Sequence, residues 1–184
     1  MLPEVAVIAG RAAAARSQLD ALLGVVPEEH WERREAGELW TARNHLHHLA
    51  TIDAPVAALL RAVREPGGDV APFAAATMAE VEAARMDLLA SVSALSTAEL
   101  RARMERERAE TLAVLATLDA TDLERGVLLP GAVDARGRTV TITLRRYLAA
   151  WATHDTEHAQ AIRRAISRPP GPGDLAIAAR RPRR

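Results

Sequence analysis

Apolar residues recur at intervals of three and four along much of this chain, the spacing typical of helices with one buried face. The first such stretch runs from about Pro3 to Leu23, and Gly24 follows it as a residue that favours helix ends. The second runs from Ala42 to Val63 behind Thr41, a residue type that caps helix N-termini. Because the apolar spacing continues on both sides of Pro55, we predict one long helix with a kink or a break at the proline.

Two further helices are predicted in the middle of the chain. A turn signal and a loop of small residues occupy positions 65–76, after which helical spacing resumes near Thr77. Ser96, with Glu99 three residues later, forms a capping box that opens the next helix. The arginine and glutamate residues between 101 and 110 are interpreted as the solvated face of that helix.

The residue composition changes twice in the last part of the chain. Residues 122–143 combine proline, glycine and alternating β-branched residues, which predicts a small β-ribbon or an ordered loop. A final helix is expected from Thr143 to Ile166. The chain then becomes rich in proline, glycine and arginine, so we predict one helical domain over residues 1–167 and a disordered tail over residues 168–184.

The composition narrows the possible chemistry. All 24 basic residues are arginine and 24 acidic residues balance them, so the net charge gives no support for nucleic acid as a main partner. The lack of lysine excludes Schiff-base and Walker-type lysines, and the lack of cysteine excludes disulfides and thiolate ligands. With no signal-peptide pattern and no apolar run of about 20 residues, we expect a cytoplasmic protein with no membrane partner.

The strongest chemical signal lies in the last predicted helix, which contains His154-Asp155-Thr156-Glu157-His158. Two histidines four residues apart lie on one helix face, about 6 Å apart at Cβ, and are close enough to share a metal ion. The alternative is a pair of neutral buried histidines that are hydrogen-bonded to other core groups. We favour the metal site, because burying several titratable groups without a compensating ion is costly.

A third ligand would come from the second predicted helix, which has histidine at three of the four positions 45–48. His45 and His48 are three residues apart and lie near one face, whereas His47 points away from it. The spacing does not choose between His45 and His48. An inverted zinc-protease pattern also fits residues 154–158, but that architecture needs a downstream ligand, and the chain beyond has neither glutamate nor histidine.

Two segments of the sequence resemble the DinB/YfiT-like family of bacterial metalloproteins, and the resemblance covers roughly residues 3–167. The first is similar to the family's Trp-Ser and His-Leu segment and consists of Leu39-Trp40-Thr41 with His48-Leu49-Ala50. The second is similar to its His-Asp-x-Glu-His and Gln-Ile segment and consists of His154-Asp155-Thr156-Glu157-His158 with Gln160-Ala161-Ile162. The chain departs from the family pattern by Thr41 in place of serine, by Pro55 and by two additional histidines.

The resemblance implies an all-α fold, a four-helix bundle with a short extra helix and a loop or small β-ribbon before the last helix. It also implies a metal site formed by His48, His154 and His158 for zinc or nickel, or for manganese or iron, and a homodimer. The family includes enzymes that use a low-molecular-weight thiol, such as bacillithiol, mycothiol or glutathione, alongside many members with no assigned reaction. We therefore expect a metal-dependent thiol transferase or isomerase acting on small electrophiles. A small metal-dependent hydrolase and a non-catalytic metal-binding protein for dimerisation or stress-related binding are the alternatives.

Two carboxylates beside the histidines are the candidate catalytic residues. Asp155 is expected either to accept the second ring N–H of a ligand histidine or to face solvent. Glu157 is either a general acid or base or a surface residue, and its position about 100° around the helix from His158 favours the surface. Tyr147 and Trp151, earlier on the same helix, are assigned to the core.

Overall fold

The apolar stripes of the sequence become the buried faces of helices in the computed structural model, which describes residues 1–72, 75 and 77–167. The described residues form seven α-helices, a 3-10 turn at Glu28–His30 and a two-stranded sheet. The expected mostly helical fold is confirmed, although the number of helices differs from the four and one short helix that were expected. The helices are α1 Pro3–Leu23, α2 Ala42–Leu49, α3 Asp53–Val63, α4 Met78–Val92, α5 Thr97–Leu115, α6 Ala120–Glu124 and α7 Leu144–Ser167.

The prediction of one long helix from Ala42 to Val63 is wrong, because the chain divides this stretch into α2 and α3. The break lies around Thr51, before Pro55 rather than at it. There the amide and the hydroxyl of Thr51 both donate to the carbonyl of His48, at 2.9 and 2.8 Å. Starting α3 after this turn puts Pro55 in the first helical turn, where the N–H that proline lacks would have no helical partner in any case.

Side-chain caps fix the starts of three helices where the sequence predicted them. The hydroxyls of Thr41 and Ser96 accept hydrogen bonds from the backbone N–H groups of Asn44 and Glu99, at 3.2 and 3.3 Å. The side chains of Asn44 and Glu99 accept in return from the N–H of the capping residue, at 2.9 and 2.8 Å. Thr77 and its partner cap α4 in the same reciprocal way. These three predicted helix starts are confirmed.

The segment before the last helix is a β-ribbon, which decides between the two alternatives that the sequence left open. Strand β1, Gly126–Val133, pairs antiparallel with β2, Thr139–Thr143, and Val127 lies opposite Ile142. The pairing is irregular around Gly131, whose φ of +79° is a conformation that side chains disfavour. Because β2 runs directly into α7, the ribbon sets the point at which α7 begins.

The buried apolar side chains form two clusters, one toward each end of the long helices. Helix α1 packs along α7, and α3 packs against α5. One cluster joins the first half of α1 to the first half of α7, and its members include Val5, Leu60, Leu115 and Leu148. The other joins α2 to the second half of α7, and its members include Leu19, Leu46, Met104 and Ile162.

Some sequence predictions fall on residues that the structure does not describe. The predicted tail, residues 168–184, lies outside the described residues, as do residues 73, 74 and 76 of the predicted loop. Within the described part, no helix combines the length and the apolar character that a membrane-spanning helix needs.

Candidate metal centre

Three histidine rings converge between α2 and α7. His48 lies in the last turn of α2, and His154 and His158 lie one turn apart on α7. The Nε2 atom of His154 is 3.4 Å from Nε2 of His48 and 3.2 Å from Nε2 of His158. One nitrogen from each ring lies within 4.8 Å of the other two. The structure therefore brings together the three residues that the resemblance implies as ligands.

The spacing of these nitrogens fits a shared metal ion. Two nitrogens that are each about 2.0–2.1 Å from a tetrahedral zinc ion are about 3.3 Å from each other. The Nε2 separations of 3.2 and 3.4 Å agree with that value. Three imidazoles form a donor set that suits zinc, nickel or iron. His48, His154 and His158 could therefore hold a divalent ion and leave further coordination positions open.

The electrostatic surroundings keep these rings neutral, which is the state that binds a metal. Burial and the adjacent imidazole of His154 lower the pKa of His48 to about 3. Burial and the imidazoles of His154 and His48 lower the pKa of His158 to about 2. Burial also lowers the pKa of His154, against the opposing effect of Asp155. The ring lone pairs are therefore free of protons near neutral pH.

Trp40 and His45 lie against the three rings. The indole of Trp40 stacks over His158, with ring centroids 6.1 Å apart and planes inclined by 25°, and meets the ring of His48 edge-on at 5.2 Å. Nδ1 of His45 is 2.8 Å from Nδ1 of His158, the nitrogen that faces away from the cluster of Nε2 atoms. His47 lies outside the cluster, as predicted, and its Nε2 is buried without a partner in the described chain.

Both expectations for Asp155 are wrong, because its carboxylate faces neither a histidine nor solvent. It is 1% exposed and accepts hydrogen bonds from Arg16 of α1, at 2.7 Å to Nε, and from Arg108 of α5, at 3.1 Å to Nη2. The same two arginines donate to Asp53 of α3, at 3.2 and 3.0 Å. Trp151 of α7 donates its indole N–H to Asp53 as well, at 3.1 Å.

These four charged residues form what we call the charge cluster, and each comes from a different helix: Arg16, Asp53, Arg108 and Asp155. The cluster carries two positive and two negative charges, so its net charge is zero. It sits between the two apolar clusters, and each side chain is at most 10% exposed. Arg108 also stacks on Trp151, 4.5 Å from the ring centroid. The interpretation of residues 101–110 as a solvated face is therefore wrong at Arg108.

A signal for the charge cluster is present in the sequence. Each member occupies a position three or four residues from apolar residues of its own helix's buried stripe. Arg16, for example, lies four residues after Ala12 and three before Leu19, and both of these are buried. A charge at such a position requires a buried partner of opposite sign.

The other residues of α7 that the sequence analysis singled out have the exposure or burial that was expected of them. Glu157 is exposed, in agreement with the surface interpretation. Trp151 is buried, and Tyr147 is partly buried against the first apolar cluster, so both belong to the core. Burial raises the pKa of the Tyr147 phenol to about 12.

Comparison with known proteins gives a family match. The family model described as the DinB superfamily matches residues 11–162, which is most of the chain. No curated protein matches it. This match supports the resemblance stated from the two histidine segments.

Two solved structures show the same fold. YfiT from Bacillus subtilis, described as a probable metal-dependent hydrolase with an unusual four-helix bundle topology, has a TM-score of 0.66 at 17% identity, covering 89% of this chain and 86% of YfiT. The mycothiol-dependent maleylpyruvate isomerase has a TM-score of 0.63 at 19% identity, covering 88% of this chain. The match spans 61% of the isomerase, so this chain corresponds to only part of that enzyme's length.

Proposed function

We propose that this chain, which belongs to the DinB superfamily, binds a divalent metal ion through His48, His154 and His158 and uses it to activate a low-molecular-weight thiol toward small electrophiles. The observation that carries the proposal is the convergence of three histidine rings, in which Nε2 of His154 lies at distances from Nε2 of His48 and of His158 that match a shared ion. Zinc and nickel are the ions that we expect, with manganese and iron as alternatives.

The protein's own contribution is to fix the donors. Helix α7 holds His154 and His158 one turn apart, and α2 ends at Leu49, one residue after His48, before the turn around Thr51. Three protein ligands leave coordination positions free, and an ion held there would lower the pKa of a thiol or a water molecule that reaches it. The indole of Trp40 stacks over His158 and meets His48 edge-on, so it occupies one side of the site.

The thiol as co-substrate is supported by one structural neighbour. The chain has no cysteine, so a reacting thiol would come from outside the protein. One neighbour is described as a mycothiol-dependent isomerase, which fits mycothiol as the first thiol to test. The electrophile would be a small molecule that reaches the three histidines between α2 and α7.

A metal-dependent hydrolase is the second candidate function. Its support is the neighbour described as a probable metal-dependent hydrolase, of which the match spans 86%. Both candidates use the same three histidines and differ in the nucleophile. Non-catalytic metal binding is the remaining outcome, in which neither a thiol nor water reacts.

Metal content is the first test. Protein purified without a nickel-affinity step should contain about one divalent ion per chain by elemental analysis. The variant His154→Ala should lose that ion. The variant His47→Ala, on the same helix as His48 but outside the cluster, should keep it. A wild-type protein without metal, or a His154→Ala variant that retains it, would refute the site.

Activity then separates the candidate reactions. The metal-loaded protein is incubated with mycothiol, bacillithiol or glutathione and a panel of electrophiles, among them a cis-configured unsaturated diacid for isomerisation. Consumption of the electrophile only when a thiol is present supports the proposal. Turnover of ester or amide substrates without thiol favours the hydrolase, and no turnover in either assay favours non-catalytic binding.

The proposal also includes a homodimer in the cytoplasm. Light scattering coupled to size-exclusion chromatography measures the oligomeric state, and a mass near 20 kDa would contradict the dimer, because one chain is 19.8 kDa. Fractionation of the producing cells tests the compartment.

A further inference from the structure

His45 makes a short polar contact to the histidine cluster without belonging to it. Its Nδ1 lies 2.8 Å from Nδ1 of His158, and the group of three converging nitrogens does not include it. We propose that His45 is a positioning residue, which accepts a hydrogen bond from Nδ1–H of His158 and so fixes the tautomer and orientation of that ring. This inference rests on the proposed metal site.

The placement of protons follows from the chemistry of neutral imidazole, which carries one N–H and one lone pair. If the lone pair of His158 at Nε2 points to the ion, its proton must be on Nδ1. The 2.8 Å contact then requires a lone pair on Nδ1 of His45, whose own proton is on Nε2. The opposite direction of donation would put a proton on Nε2 of His158 and block it as a ligand.

The geometry argues against His45 as a fourth ligand. Its Nδ1 is engaged with the nitrogen of His158 that faces away from the Nε2 cluster. The indole of Trp40 packs edge-on against His45, with centroids 5.1 Å apart, and stacks over His158. Trp40 thus holds the two hydrogen-bonded rings together on the outer side of the site.

Of the three proposed ligands, only His158 has a hydrogen-bond partner at Nδ1 within the part of the chain that the structure describes. The Nδ1 atoms of His48 and His154 are both buried without a hydrogen-bond partner in the described chain. Nδ1 of His158, in contrast, has Nδ1 of His45 as its hydrogen-bond partner. A partner on the second nitrogen of a ligand histidine makes that ligand more basic and holds its ring in place, and its loss typically lowers metal affinity about 10- to 100-fold.

The experiment compares four full-length proteins: wild type, His45→Leu, His45→Asn and the control His47→Leu. Leucine keeps most of the volume at position 45 without an acceptor, whereas the carboxamide oxygen of asparagine lies near the place of Nδ1 and can accept the same hydrogen bond. Zinc affinity is measured by competition with a chromogenic chelator, and thermal unfolding of the metal-free proteins reports any loss of folding.

We expect His45→Leu to bind zinc about 10- to 100-fold more weakly than wild type. His45→Asn should recover most of that affinity, and His47→Leu should bind as wild type does. A long-range proton–nitrogen spectrum of the zinc protein should show His158 protonated at Nδ1, with a downfield proton that His45→Leu lacks.

Three outcomes would overturn the inference. Equal zinc affinity of wild type and His45→Leu would mean that the hydrogen bond does not support the site. An His45→Asn variant as weak as His45→Leu would mean that ring packing, and not the acceptor, matters. If wild type binds neither zinc nor nickel, the proposed function and the inference fail together, whereas the first two outcomes leave the proposed function intact.

Discussion

Replacing Asp53 by asparagine should be among the most damaging conservative changes in this protein. The substitution keeps the shape of the side chain and an acceptor for the indole of Trp151, which donates from 3.1 Å. It removes one of two negative charges that face two arginines, and it turns an amide N–H toward their N–H groups. The charge cluster would then carry a net positive charge in a place where Asp53 is 1% exposed.

The size of the effect follows from the burial of the contacts that are lost. Asp53 accepts from Arg16 at 3.2 Å and from Arg108 at 3.0 Å, and the arginine side chains are 10% and 6% exposed. Removing one partner of a buried ion pair typically costs about 3–5 kcal/mol. For a domain of this length the melting temperature changes by about 2–4 °C per kcal/mol, so we expect a decrease of roughly 6–20 °C.

The assay is urea unfolding of metal-free protein in the presence of a chelator, with the free energy of unfolding obtained by linear extrapolation. Glu110→Gln is a matched control, because it makes the same chemical change in an acid that pairs with Arg61. Both side chains of that pair are more than half exposed. Loss of an exposed pair should cost no more than about 1 kcal/mol.

A double-mutant cycle tests the cause. Arg108→Met in the Asp53→Asn background brings the net charge of the cluster back to zero, so the two losses should be less than additive. The reasoning is refuted if Asp53→Asn costs less than 1 kcal/mol, or if the two losses add fully, because neither result is compatible with an uncompensated buried charge.

Three further predictions use other features of the chain. Tyr147 is the only tyrosine and lysine is absent, so absorbance at 295 nm should report its ionisation alone, with a midpoint near 12. Because burial raises this pKa above its ordinary value of 10.0, the neutral phenol contributes up to about 3 kcal/mol of stability below pH 10, and this contribution is lost as the pH rises through 12. The variant Tyr147→Phe should lack this loss of stability between pH 10 and pH 12. Ser96→Ala should lower the free energy of unfolding by about 1 kcal/mol, measured by urea unfolding, because it removes one half of a capping box. Zinc affinity, measured by chelator competition, should fall by no more than about fourfold between pH 8 and pH 6. The reason is that the pKa values of His48 and His158 are lowered, so that at most His154 binds a proton in competition with zinc. A site of three histidines with ordinary pKa values would lose zinc affinity roughly 70-fold over the same range.

The sequence predicted helices best where their ends depend on neighbouring residues. Thr41, Thr77 and Ser96 cap helices through bonds to residues three positions away, so the signal is local and complete. The break before Pro55 was placed wrongly, because apolar spacing continues across it. The chain accommodates Pro55 by ending α2 and turning at Thr51. This turn depends on the hydrogen bond from the hydroxyl of Thr51 and on packing, and the spacing of apolar residues reports neither.

The convergence of the three histidines was predictable, whereas the contacts around them were not. His154 and His158 share a helix, so their spacing alone places them together. The choice of His48 over His45 came from the resemblance, since both lie near one face of α2. The contacts of Asp155 were predicted wrongly because its partners, Arg16 of α1 and Arg108 of α5, are distant in sequence. Both arginines lie on the buried faces of their helices, where the spacing of apolar residues predicts only hydrophobic contacts.

Adjacent residues on α7 connect the two polar features of this fold. His154 and Asp155 point in directions about 100° apart around the helix, one toward α2 and the other toward α1 and α5. A rotation of α7 that moved the ring of His154 away from His48 would also pull Asp155 from both arginines. Because breaking those buried bonds is costly, the charge cluster restricts α7 to one rotation. The cluster that touches no ligand therefore helps to determine where two of the three histidines meet the third.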